Sequence, residues 1–219
     1  MEQPKNNFKI VSDKKARMIL PNAITLIGVC IGLTSIKFAL DGKFALAIVG
    51  ILFAGLMDAL DGRIARLIKG TSKIGKELDS LGDVISFGVA PAFIMYFWNL
   101  QYLDKLGWFV CLMYVVCVAL RLARFNVNSE EEQSWKDNFF EGVPAPAGGI
   151  IVLMPLVLSF SGLGEIFFKI NYDLVVPIFF ITVSILLIST IPTYSFKKIV
   201  IPRSMTKFLL FGIVLFFGA

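Results

Sequence analysis

Apolar runs long enough, or nearly long enough, to cross a bilayer recur along the chain and constrain it more than any other feature. They fall at Ile19–Leu40, Phe44–Leu67, Leu81–Leu100, Gly107–Phe125, Ala147–Leu163, Leu174–Ile191 and Lys207–Gly218, the last being short. A hydrocarbon core about 30 Å thick needs roughly 20 apolar residues in a helix. Lipid offers no partner for backbone N–H and C=O groups, so such segments must be helices rather than open strands. The breaks carry turn chemistry: Asp41-Gly42, Gly70-Thr71-Ser72, the 128–146 stretch, and Pro192 and Pro202 around a basic segment. Composition agrees. Of 219 residues 57% are hydrophobic and 17% charged, where a soluble domain carries about 45–50% and about 25%. The mean hydropathy is +0.78. An all-α integral membrane protein, a polytopic helical bundle, is expected.

Lysine and arginine orient that bundle. The N-terminal arm holds Lys5, Lys9, Lys14, Lys15 and Arg17, and the second connection holds Arg63, Arg66, Lys69, Lys73 and Lys76. The fourth adds Arg121, Arg124 and Lys136, and the sixth Lys197, Lys198, Arg203 and Lys207. The alternate side keeps only Lys37, Lys43, Lys105 and Lys169 of the chain's 21 cations. The positive-inside rule then puts the N-terminus and these three connections in the cytoplasm. The basic arm reads as a juxtamembrane stretch, not a cleavable signal, because a long span and no small-residue cleavage site follows it. The net charge of +5 has the same origin, and no basic face interleaved with exposed aromatics suggests nucleic acid.

Cys30, Cys111 and Cys117 lie in apolar runs without zinc or redox spacing and read as packing residues. Histidine is absent. Phosphohistidine intermediates, imidazole bases and His-bound metals are therefore excluded, and chemistry must fall to carboxylates, Lys, Arg, hydroxyls or thiols.

One stretch departs from the membrane composition. Asp58, Asp61, Gly62, Ala65 and Arg66 end one apolar helix, and Gly75, Asp79 and Asp83 open the next. Asp58 and Asp61 are three apart and Asp79 and Asp83 four apart, so each pair shares a helix face. The short connection makes the two helices antiparallel and lets four carboxylates converge. At ~1.5 Å per residue, Asp58 lies about 21 Å beyond Phe44, near the inner edge of the hydrocarbon. Four like charges in a partly dry site repel unless offset. Hard divalent cations on carboxylate oxygen, Mg²⁺ or Mn²⁺, are the natural compensation. Gly62, Ala65 and Gly75 lack bulk where a ligand would enter, and Arg66 can meet phosphate oxygen bidentately. Taken singly, each residue has a blander role: a cation pathway, pairing with Arg63, Arg66 or Lys76, or close helix packing.

The spacing D-x2-D-G-x2-A-R-x8-G-x3-D-x3-D resembles the signature of the CDP-alcohol phosphotransferase family, with every defined position matched. The resemblance implies six core transmembrane helices and a homodimer. It also implies a two-metal centre on Asp58, Asp61, Asp79 and Asp83, with Asp83 as general base and the motif's glycine and alanine admitting CDP. Pro21-Asn22-Ala23-Ile24-Thr25 is similar to a family segment near the nucleotide, which makes Asn22 and Thr25 candidate CDP contacts.

Three further segments resemble the phosphatidylserine-forming branch: Glu77 to Pro91, Arg121 to Asn126, and Gly142 to Gly149. That branch joins CDP-diacylglycerol and L-serine to give phosphatidylserine and CMP. Arg121 and Arg124 then become candidates for the acceptor carboxylate, although a phosphorylated acceptor such as glycerol 3-phosphate would suit them equally. A cation transporter is the rival from another class, but would show polar residues deep in several spans. The expected organisation is a basic arm over 1–18, a catalytic transmembrane domain over 19–202 and a further C-terminal hydrophobic span over 203–219. The expected place is a bacterial inner membrane, with the site facing the cytoplasm.

Overall fold

The computed structural model describes residues 13–67, 72–128, 139–141, 143–161, 171–189 and 192–194. Helix α1 spans Asp13–Leu40 and α2 Phe44–Leu67. Between them Gly42 takes φ +72°, the left-handed conformation glycine adopts without strain. Gly42 N–H donates to Ala39 O (3.0 Å) and Lys43 N–H to Phe38 O (2.8 Å), which satisfies carbonyls that the end of α1 would leave open. The turn is tight enough to bring α2 back antiparallel along α1.

The third crossing is composite: α3 (Lys73–Asp83), a π-turn (Val84–Val89) and α4 (Ala90–Trp98). Ser72 caps α3, its hydroxyl accepting from Gly75 N–H at 3.0 Å. A 3₁₀ turn (Leu100–Leu103) leads into α5 (Asp104–Asn128). The next apolar segment is split into α6 (Ala145–Val152) and α7 (Met154–Ser161). Pro155 cannot donate to Ile151, so the helical ladder breaks at Leu153. Helix α8 covers Tyr172–Ile188, with Asn171 accepting from Asp173 N–H at its start.

Ile19–Leu40, Phe44–Leu67, Ile74–Trp98 and Leu100–Val127 are long and apolar enough to cross a membrane. Ala145–Phe160 and Tyr172–Ile188 are shorter apolar helices. The third helix begins at Lys73, earlier than the expected Leu81, because its first two turns are polar. The class is helical as expected, with one small strand pairing: β1 (Phe139–Glu141) runs antiparallel to β2 (Pro192–Tyr194), Phe140 opposite Thr193. Part of the basic arm and the whole 203–219 segment lie outside the described residues.

The core is built around Phe87, Ile94, Met95, Tyr114 and Phe180, all fully buried. Small residues bring α1, α2 and the third crossing close together. A Cβ on Gly50 would clash with Ser35, and one on Gly32 would sit 2.8 Å from Ser86 Oγ. Large apolar side chains such as Leu26, Leu52, Leu112, Ile178 and Ile185 face outward. An outer surface of this kind suits acyl chains rather than water.

Candidate active site

The ends of α2 and α3 form the site. One carboxylate oxygen from each of Asp58, Asp61 and Asp79 lies within 4.8 Å of the others. Asp61 is 3% exposed, a burial that a lone carboxylate does not tolerate without compensation. Asp83, one turn beyond Asp79, lies against Asp58. All four aspartates line a small cavity of about 10 Å³ with Thr25, Gly82 and Ser86. A larger cavity of about 220 Å³ adjoins it and shares Thr25, Asp61 and Asp79 as a common wall.

That larger cavity gathers the residues expected to meet CDP: Asn22, Thr25, Gly62, Ala65, Arg66 and Gly75 all line it. A Cβ on Gly62 would meet no atom within 4 Å, so the space it leaves belongs to the cavity and not to helix packing. At Gly75 a Cβ would lie 2.9 Å from Asn22 Oδ1 and 3.1 Å from Ser72 Oγ. Glycine there lets α1 and α3 close on the same opening. Arg66 Nε donates to Gly62 O at 2.9 Å, which anchors the guanidinium beside the cavity. Thr25 Oγ1 lies in hydrogen-bonding contact with both Pro21 O and Asp61 Oδ2. Its single proton serves Asp61, the shorter contact, and ties α1 to the aspartates.

The donor set fits hard divalent cations: carboxylate oxygens from two helices, with neither His nor Cys on the walls of either cavity. Among the described residues, no ion pair joins Arg63 or Arg66 to these carboxylates.

The two arginines expected to meet the acceptor part company. Arg121 on α5 is half-buried within electrostatic reach of Asp83, and its Nε is buried without a hydrogen-bond partner among the described residues. Arg124 is exposed, and its Nη1 donates to Ile188 O (2.9 Å) at the end of α8. It lines neither cavity. Asn126 Nδ2, on the next turn, donates to Ser80 Oγ (2.9 Å) and fastens α5 to α3. Ser72 and Lys76 on the larger cavity, and Ser86 on the smaller, were not anticipated. Ser72, Gly75, Lys76 and Asp79 follow i, i+3, i+4, i+7, so helical spacing alone would have placed the first three beside Asp79.

A family model described as CDP-alcohol phosphatidyltransferase matches residues 18–191. The chain belongs to this family. The match takes in α1 from residue 18 onward through α8, both cavities and all four aspartates. Among its relatives, a CDP-diacylglycerol–serine O-phosphatidyltransferase of Mycobacterium tuberculosis is 40% identical over 197 residues. The aligned region covers 88% of this chain, which spans 66% of that protein's length. The enzyme of that name from Helicobacter pylori is 34% identical over 181 residues, covering 83% of this chain and 74% of its own. An archaetidylserine synthase of Methanothermobacter thermautotrophicus is 33% identical over 191 residues, covering 83% and 73%. These CDP-alcohol phosphatidyltransferase relatives carry names that share serine as the acceptor.

Proposed function

We propose that the protein is a metal-dependent phosphatidylserine synthase, transferring the phosphatidyl group of CDP-diacylglycerol to the hydroxyl of L-serine with release of CMP. The observation that carries this reading is the convergence of the aspartates on a wall shared with the cavity of Asn22, Gly62, Ala65, Arg66 and Gly75. Relatives named for serine transfer supply the acceptor.

In this reading Asp58, Asp61, Asp79 and Asp83 would hold two Mg²⁺ or Mn²⁺ ions, which would supply charge neutralisation at the pyrophosphate and the departing nucleotide. Arg66 meets phosphate oxygen at the mouth of the larger cavity, where Asn22 and Thr25 flank the cytidine nucleotide. Asp83 takes the proton of the serine hydroxyl. The serine oxygen forms a bond to the phosphorus bearing diacylglycerol as the bond to the CMP oxygen breaks, and CMP leaves with that electron pair. Arg121, with a buried and unpartnered guanidinium nitrogen near Asp83, receives the serine carboxylate. Arg124 plays a lesser part at the acceptor, since it is already tied to Ile188 O.

The lysine and arginine bias supports a site on the cytoplasmic face of an inner membrane. We assign residues 19–202 to the catalytic domain, flanked by the basic arm and a C-terminal hydrophobic segment, and propose a homodimer as the working form. Purified protein with CDP-diacylglycerol and either serine or glycerol 3-phosphate tests the reading. Serine-stimulated CMP release supports it. Release stimulated only by glycerol 3-phosphate refutes the serine assignment while leaving the family reaction in place.

A further inference from the structure

The third crossing carries a proline where an α-helical ladder needs a donor. In an uninterrupted α-helix, the N–H of residue 91 would reach the carbonyl of Phe87, but residue 91 is proline and has no N–H. The local pattern is the wide π form, with Ala90 N–H reaching back five residues to Ile85 O. Phe87 is 1% exposed, so no water substitutes. Its carbonyl accepts from another helix, where the Tyr114 hydroxyl on α5 donates at 2.8 Å. Tyr114 is itself fully buried, with its ring against Phe180 at 5.1 Å between centroids.

The position of this repair matters because the π-turn starts at the residue after Asp83. Each extra residue in a turn rotates the following helix face by roughly 100°. The width of the turn therefore sets how the Asp79–Asp83 face stands relative to Ser86 and Phe87. Its surroundings hold it from several sides. Gly88 leaves room for Val118, where a Cβ would come within 3.3 Å, and a Cβ on Gly149 would press on Phe87 at 3.0 Å. Along α5, Asn126 binds Ser80, Arg121 stands by Asp83, and Tyr114 binds Phe87 O. Helix α5 thus splints the aspartate-bearing helix on both sides of Asp83.

We infer that Tyr114 is a positioning residue for the transfer reaction: its hydroxyl holds the π-turn that sets Asp83 against the substrate. The inference rests on the function proposed above. It concerns a residue outside the motif and both cavities.

Tyr114→Phe keeps the ring and removes only the donor. Pro91→Ala in that background restores a backbone N–H able to reach Phe87 O, but through the tighter α-helical bond. CMP release is measured with serine and with glycerol 3-phosphate, alongside thermal midpoints in detergent. Misplacing a reacting group by about 1 Å costs on the order of 10²-fold, so Tyr114→Phe is expected to lower kcat about 10- to 100-fold with little change in either KM. The double variant should regain the thermal midpoint and leave kcat low. A Tyr114→Phe enzyme with wild-type kcat overturns the inference. So does a double variant that regains midpoint and kcat together, since the hydroxyl would then be merely satisfying a carbonyl. A wild type that prefers glycerol 3-phosphate removes the serine assignment and leaves the Tyr114 comparison readable with that acceptor.

Discussion

The Thr25 hydroxyl on α1 donates to the Asp61 carboxylate on α2, so the first helix closes the aspartate cluster that the second and third helices build. A hydrogen bond to a charged group contributes about 1.5–3 kcal/mol, or roughly 10- to 100-fold in an equilibrium constant. Thr25→Val should therefore raise the Mn²⁺ concentration needed for half-maximal activity by about that factor, and Thr25→Ser should restore most of it. The same titration checks the metal dependence itself. EDTA should abolish turnover reversibly, and Asp58→Asn, Asp61→Asn and Asp79→Asn should each weaken metal binding and activity together.

Gly62 and Gly75 belong to one motif but should fail differently. A methyl on Gly62 meets nothing in the chain and enters the 220 Å³ cavity. Gly62→Ala should leave the thermal midpoint near wild type and raise KM for CDP-diacylglycerol. A methyl on Gly75 crowds Asn22 and the Ser72 hydroxyl that caps α3. Losing such a cap costs about 1 kcal/mol, so Gly75→Ala should lower the midpoint as well as activity. Kinetics and thermal melts of the two variants side by side would separate ligand space from helix packing.

Much of this was legible in the residues. Helix α2 runs over Phe44–Leu67 as its apolar run predicts, because the Asp41-Gly42 turn and the basic loop bound it on both sides. The aspartate pairs share faces as their spacing requires. The start of α3 was hidden because Lys73, Lys76, Glu77 and Asp79 carry no hydropathy signal; Ser72 as a cap was the available clue. The π-turn left only Pro91 as a trace, since Tyr114, whose hydroxyl meets Phe87 O, comes from α5, 27 residues further along the chain. The pairing of Phe139–Glu141 with Pro192–Tyr194 joins segments too distant along the chain for periodicity to reveal.

Arg121 and Arg124 offer a separation that charge counting did not. Arg121→Ala should raise KM for serine with nucleotide affinity unchanged, because its Nε is buried near Asp83 without a hydrogen-bond partner among the described residues. Arg124→Ala removes a hydrogen bond to the end of α8 and should lower thermal stability by about 0.5–1.5 kcal/mol, with a smaller effect on serine. Serine titrations and melts of both variants check the assignment; equal KM effects would return Arg124 to the acceptor site.

Orientation is open to a direct test. In a background with Cys30, Cys111 and Cys117 replaced by serine, Ser72→Cys should react with an impermeant maleimide only from the cytoplasmic side. Gln101→Cys, exposed in the turn before α5, should react only from the opposite side. The reverse pattern would overturn the cytoplasmic placement of the site.

Transfer to serine at the aspartate cluster, with Asp83 as base, is open to one paired measurement. Labelled serine incorporation into lipid and CMP release are followed together for wild type and Asp83→Asn, with CDP-diacylglycerol binding measured on both. Wild-type protein should incorporate one serine per CMP released. The Asp83→Asn enzyme should bind CDP-diacylglycerol normally while transferring about 10²–10⁴-fold more slowly, the usual worth of a general base. Wild-type protein that releases CMP without incorporating serine, or an Asp83→Asn variant with full transfer, would contradict this assignment.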